Sequence, residues 1–209
     1  MLLSTDLFST LRTNIIEGKY ERGYKLTEQN LCSTFNVSRT PVREALRQLE
    51  IEGLVETIPH RGVFVLGFSQ QEIKDMFQLC KPYEVLAVRW AIERATDEEL
   101  DSLAETFEFM EFYTKKNDVE KMIKINTHFH QIIYAASHNR LLSNMLNLYR
   151  QYGAAAKKDK VFGDDYLAPL LEEHREIYNA FKDRDASRGA TAMEKHMDKS
   201  FERCYNVPK

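Results

Sequence analysis

The sequence predicts a mainly α-helical chain in two parts, a winged helix-turn-helix over residues 1–67 and an all-helical antiparallel bundle over 68–209. Three observations predict it. Between Val37 and Leu54, the apolar residues Val42, Ala45, Leu46 and Leu49 recur at helical spacing and give one buried stripe. Directly after, Leu54–Ile58 and Val63–Leu66 alternate as two strands do, joined by Pro59-His60-Arg61-Gly62. From Ser69 onward there are only helical patterns separated by short breaks, as an antiparallel bundle requires.

Residues 6–18 form the first helix, with Leu7, Leu11, Ile15 and Ile16 on one side and Gly18 near its end. Glu21-Arg22-Gly23-Tyr24 is a turn, and the helix-turn-helix starts at Thr27. Asn36 stands between its two helices, where a left-handed residue is needed. Ser38 can cap the second helix, and Pro41 is tolerated because it falls in the first turn. Arg39, Arg43 and Arg47 step by four and form a row of guanidinium groups. The amino end of this helix is therefore rich in donors: Ser38, Arg39, Thr40 and Arg43 beside its unpaired N–H groups. Such an end suits a phosphate, and such a helix can enter the major groove of duplex DNA, where Arg pairs with guanine edges. The hairpin after it would be a wing, with His60 and Arg61 at its tip beside the backbone or minor groove. Taken alone, the arginine row also fits an ordinary helical hairpin with a solvated charged face.

In the second part, helical patterns run over roughly 69–95, 97–116, 118–138, 140–157, 166–183 and 185–204. Ser69, Asp97, Asp118 and Asp185 are the cap candidates, and Asn139 and Gly163 fall at breaks. His128, His130, His138, His174 and His196 all lie here. Asn126 and His130 are four apart and share a helix face; His174 and His196 sit on two further helices. Three imidazoles and one amide oxygen can converge in a bundle core, a donor set that suits zinc, nickel or another divalent transition ion. By spacing alone, each of these histidines could equally be a surface or singly hydrogen-bonded residue.

Composition bounds the function. With 43% hydrophobic and 29% charged residues in 209, the chain is globular. Its formal charge of −3 excludes an indiscriminate polyanion binder. Through Gly67 the balance is even: Arg12, Lys19, Arg22, Lys25, Arg39, Arg43, Arg47 and Arg61 against Asp6, Glu17, Glu21, Glu28, Glu44, Glu50, Glu52 and Glu56. DNA contact must then rest on local clustering, with modest, salt-sensitive non-specific affinity. Cys32, Cys80 and Cys204 are widely spaced without a CxxC, which fits a reducing compartment and no disulfide framework. No apolar run approaches the roughly 20 residues that span a bilayer. The start MLLSTDLFSTLRTN is too polar for a signal peptide. A cytoplasmic location with no membrane partner is expected.

The string NVSRTPVREALRQLEIEGLVETIPHRGVFV resembles the winged helix-turn-helix of GntR-type transcription regulators, a resemblance that covers residues 5–67. It implies DNA contact by Ser38, Arg39, Thr40 and Arg43 on the recognition helix and by His60, Arg61 and Gly62 in the wing. Gln29 stands where the family is often basic, which removes one phosphate contact. INTHFHQIIYAASHNRLL, EEHREIYNAFKDRDASRGA and AMEKHM resemble the effector-binding FCD domain of the FadR-like branch, over residues 70–205. That resemblance implies a helical, commonly dimeric bundle holding a divalent metal through an Asp or Asn and three His. These positions fall on Asn126, His130, His174 and His196; His128 and His138 do not match. Two departures follow. Asn126 stands where Asp is frequent and gives up one charge, which weakens metal binding. Cys80 stands where an Arg often precedes the Glu at Glu84, so a cation for a carboxylate effector is missing there. Arg150 and Tyr152 could supply polarity to an effector pocket from another helix, although an Arg in that place is more often solvated.

The expected function is a ligand-responsive transcription regulator, a repressor, acting as a homodimer on a short palindromic operator in double-stranded DNA. A small molecule beside the metal, a carboxylate among the candidates, would change the relative pose of the DNA-binding domains. The rival is a metal-dependent enzyme with a helical His site, in which Glu172 or Glu173 beside His174 acts as base for metal-bound water. Against it, neighbours on a helix point in different directions, so both are expected to be surface carboxylates. No HExxH, GxSxG or phosphate-cradling glycine loop occurs, and no enzymatic activity is expected.

Overall fold

The computed structural model describes residues 4–155 and 166–205, in two compact units, Met1–Glu72 and Ile73–Lys209. The first unit holds α1 (Ser4–Ile16), β1 (Lys25–Leu26), α2 (Glu28–Phe35), α3 (Arg39–Ile51), β2 (Val55–Ile58) and β3 (Gly62–Val65). Its core is Leu7, Leu11 and Ile15 of α1, Leu31 of α2, and the α3 stripe Val42, Ala45, Leu46 and Leu49. A fully buried Leu or Val contributes about 1.5–3 kcal/mol. This stripe therefore anchors α3 and decides which face its arginines take.

Thr27 caps α2, its hydroxyl accepting from the Asn30 N–H at 3.3 Å. Asn36 ends α2 at φ 52°, ψ 48°, the left-handed conformation its short polar side chain tolerates. Ser38 occupies the N-cap of α3, but its side chain makes no capping hydrogen bond, contrary to expectation. Lys25–Leu26 forms a strand that sequence periodicity missed, because two residues show no alternation. It pairs antiparallel with β3, giving the sheet order β1-β3-β2. In the β2–β3 hairpin Thr57 faces Val63 and Ile58 faces Gly62.

The second unit is built from α4 (Gln70–Arg94), α5 (Asp97–Lys115), α6 (Val119–Ala136), α7 (Arg140–Ala155), α8 (Leu167–Lys182) and α9 (Ala186–Tyr205). No helix in the described residues is long and apolar enough to cross a membrane. Ser69 and Glu72 cap α4 reciprocally, the Ser69 N–H donating to the Glu72 carboxylate at 2.7 Å. Asp118, Asn139 and Asp185 cap α6, α7 and α9 through the N–H groups of Lys121, Leu142 and Arg188. The cap of α5 is Thr96 rather than Asp97: Thr96 and Glu99 form a capping box, and Asp97 becomes a first-turn acid. The break expected at Gly163 lies outside the described residues, as does the side chain of Cys204; Cys32 and Cys80 are free thiols.

Met110, Phe129, Ile133, Tyr134, Ile177, Phe181 and Met193 fill the bundle core. Gly189 of α9 lets that helix approach α4 closely: a Cβ there would lie 2.2 Å from Ile92 Cδ1 and 3.0 Å from Val88 Cγ1. This packing brings faces of α6, α8 and α9 that carry histidines into one interior.

Candidate nucleic-acid interface and candidate metal centre

Burial of the α3 stripe turns Ser38, Arg39, Thr40, Arg43 and Arg47 outward, and all five are exposed. The Arg43 Nε–H donates to Glu28 Oε1 at 2.8 Å. At the wing tip Pro59, His60 and Arg61 are exposed, with His60 at φ 61°. Gly62 has φ 106°, a conformation that favours glycine; the atoms near a Cβ there would be the flexible end of Lys25, Cε at 3.0 Å. Arg61 stacks over the Phe64 ring at 5.8 Å, which steadies its stem.

Through Gly67 acids and bases are equal in number, and three of the acids are engaged within the unit. Glu50 accepts from the Thr57 N–H at 2.8 Å and ties α3 to the wing. Glu52 pairs with Arg12 of α1 at 2.7 Å. Glu28 holds Arg43. Three of the eight acids through Gly67 therefore serve the unit's own structure, and Arg39 and Arg47 stand exposed on α3.

In the second unit, His130 of α6, His174 of α8 and His196 of α9 meet in the interior. All three are buried, and one nitrogen of each lies within 4.8 Å of the others. His174 Nε2 and His130 Nε2 are 3.3 Å apart. Two acceptors fix the opposite edges of the His174 and His196 rings. His174 Nδ1 lies 2.7 Å from the Leu170 carbonyl, which only accepts, so Nδ1 carries the proton. His196 Nδ1 donates to Glu173 Oε2 at 2.9 Å. His130 Nδ1 faces Glu84 Oε2 at 3.6 Å. Burial pushes His174 well below its ordinary pKa, with His196 adding to the effect. Burial likewise pushes His196 down, to about 4, although the Glu173 hydrogen bond opposes it. Both rings are neutral near pH 7, with Nε2 lone pairs turned inward, the form that ligates a metal.

One helical turn before His130, the Asn126 side-chain oxygen is buried with no hydrogen-bond partner. A buried acceptor without a partner calls for a donor or a cation. An orphaned oxygen one helical turn from His130, with three clustered imidazoles, is a donor set that a divalent transition ion fits.

The surroundings correct two expectations. Glu173 is not a surface carboxylate: it is buried and gripped by Arg203 at 2.7 and 2.8 Å as well as by His196. Burial raises its pKa, but the His196 and Arg203 hydrogen bonds outweigh this and hold it at about 2. Glu172 does face outward and pairs with Arg175. Neither is placed as a base for metal-bound water, because Glu173 lies on the outer edge of His196. Arg150, expected to be solvated, is half-buried; its Nε–H donates to Tyr134 Oη at 3.2 Å, and Tyr134 donates in turn to Glu84. Tyr152 is buried. Cys80 is buried too, and burial pushes its thiol up to about 12, so it stays neutral. His128 is exposed and His138 pairs with Glu99 at the surface. In the sequence Glu173 stands out only as a base for the rival reading, and Arg203 does not stand out at all; only the i, i+7 spacing of His196 and Arg203 on one face of α9 hints at a shared partner.

Comparison with known proteins adds the following. A family model described as "FCD domain" matches residues 75–199, and one described as "Bacterial regulatory proteins, gntR family" matches residues 3–65. The HTH-type transcriptional regulator YdhC of Bacillus subtilis (strain 168) is 28% identical over 202 residues, covering 96% of this chain and 90% of that protein. The HTH-type transcriptional repressor RspR of Escherichia coli (strain K12) is 23% identical over 203 residues, covering 96% and 88%. Among solved structures, E. coli McbR/YncC has the same fold, with a TM-score of 0.79 at 22% identity over 99% of both chains.

Proposed function

The chain belongs to the gntR family of bacterial regulatory proteins and carries an FCD domain, and on that premise we propose that it is a metabolite-responsive repressor with a metal in its helical unit. That it is a DNA-binding transcription regulator and not an enzyme follows from the family. The finer reading is that Ser38, Arg39, Thr40 and Arg43 enter the major groove while His60, Arg61 and Gly62 rest on the adjacent backbone or minor groove. A homodimer would present two such elements to a palindrome. Repression is supported by relatives whose names say repressor, RspR and the galactonate operon repressor of E. coli (strain K12).

In the helical unit, His130, His174, His196 and Asn126 would hold zinc or nickel. The effector would bind beside the metal, near Arg150 and Tyr152, a carboxylate remaining among the candidates because Arg150 reaches inward. It would act by binding one pose of the dimer better than the other, a coupling of about 1–3 kcal/mol.

The observation that carries this reading is the exposure of Arg39 and Arg43 on α3, outside its buried stripe. Selecting duplexes from a random pool with the full-length protein tests it, and a palindromic consensus is expected. A pool that shows no enrichment overturns the operator. Metal content after purification without added metal, and a thermal-shift screen of metabolites on the zinc-loaded protein, test the second half.

A further inference from the structure

We infer that Glu173 and Arg203 form a positioning arm for His196, in which the carboxylate fixes the tautomer and direction of the ring and the guanidinium ties that carboxylate to the last turn of α9. The consequence for metal affinity rests on the metal reading above; the effect on the ring does not.

The three histidines are oriented by different means. His174 takes its Nδ1 acceptor from its own helix, the Leu170 carbonyl one turn back. That acceptor comes with the backbone and needs no particular side chain. His196 has its Nδ1 acceptor on another helix: Glu173 of α8, the immediate neighbour of a second histidine of the cluster. His196, Lys199 and Arg203 stand at i, i+3 and i+7 along α9, so one carboxylate arriving from α8 meets all three. Its Oε2 accepts from His196 Nδ1 at 2.9 Å and from Arg203 Nη2 at 2.8 Å. Its Oε1 accepts from Arg203 Nη1 at 2.7 Å, with Lys199 Nζ at 3.8 Å.

A carboxylate whose side chain is 4% exposed stays ionised in such a place only when paired, and here the bidentate guanidinium pairs it. An anionic acceptor on Nδ1–H holds the proton there, turns the Nε2 lone pair inward and makes that nitrogen a stronger donor. A bridge that merely joined α8 to α9 would have no need to engage the ring.

Two readouts on the full-length protein decide the matter. The first is the His196 tautomer in metal-free protein, read from its ring nitrogen shifts. Wild type is expected to show the Nδ1–H form, and Glu173→Ala a mixture of tautomers. The second is zinc affinity by competition with a chromogenic chelator, where Glu173→Ala is expected to bind about 10–100-fold more weakly. Glu173→Gln retains an accepting oxygen and the volume of the side chain, so its affinity should fall between the two. If the Ala variant fails to fold, the Gln variant decides: several-fold weaker zinc binding supports the arm, and wild-type affinity overturns it. An unchanged tautomer in a folded Glu173→Ala protein overturns it as well. Wild type that binds neither zinc nor nickel would end the metal reading and leave the tautomer measurement to decide the arm.

Discussion

Arg43 commits its Nε edge to Glu28 at 2.8 Å. The remaining edge of a guanidinium is the one that can make a bidentate bond to guanine. Arg43→Ala should therefore weaken specific operator binding by about 1–3 kcal/mol and relax base preference at one position. Gel shifts with the selected operator and a scrambled duplex check this; wild-type discrimination by the variant would refute it. At the metal centre, His174→Ala removes a fully buried ring whose only outward bond is to backbone. It should abolish stoichiometric zinc binding and lower the melting temperature. Comparing wild type with and without chelator separates loss of the ion from loss of the ring, and equal metal content in variant and wild type would defeat the assignment. The donor end of α3 was legible in the sequence because stripe and arginine row lie within one helix, although the Ser38 side chain does not make the capping bond expected of it. The histidine cluster was legible only through family resemblance, since spacing along a chain does not say which helix faces meet. Glu173 was misread for the same reason: beside His174 in sequence it looks displaced from the site, and only α9 packing against α8 gives it a role.

The helices themselves were nearly all legible, because each carries its own period and cap. Where the reading slipped, a local rule had a stronger competitor. Asp97 yielded the cap of α5 to Thr96, which with Glu99 satisfies two backbone donors at once. Glu99 also accepts from His138 Nε2 at 2.9 Å. Burial raises the Glu99 pKa, but the His138 and Thr96 hydrogen bonds outweigh it, and the folded value lies below the ordinary one. A depressed carboxylate adds stability that is present above its unfolded pKa and fades as pH falls through the folded value. Glu99→Gln should therefore lower the melting temperature near neutrality, and the gap to wild type should shrink in acid below the carboxylate range. A gap independent of pH would show that the charge contributes nothing.

Gly189 makes the corresponding point about packing. Nothing in its local sequence requires glycine, yet Ile92 and Val88 leave no room for a side chain. Gly189→Val should destabilise the helical unit by about 1–3 kcal/mol. Ile92→Ala in the same chain should recover part of that loss, which paired thermal melts would detect as non-additivity.

At the scale of the whole molecule, the charge balance sets what kind of DNA binder this is. The net charge is −3, and the first 67 residues are neutral by count. Yet Glu28, Glu50 and Glu52 are engaged within the first unit, while Arg39, Arg47 and Arg61 stand exposed. Attraction to phosphates must then come from a few cations per copy. Each phosphate neutralised contributes about −0.9 to the slope of log affinity against log salt. With two or three such contacts per copy in the proposed dimer, the slope for the operator should fall between about −3.6 and −5.4. Non-specific duplex should bind weakly at physiological salt, so that discrimination between sequences rests on the groove contacts of α3. Fluorescence anisotropy across a potassium chloride series checks this on both duplexes. A slope twice as steep would mean that other basic surface joins the contact, and the recognition end of α3 would then no longer account for the binding.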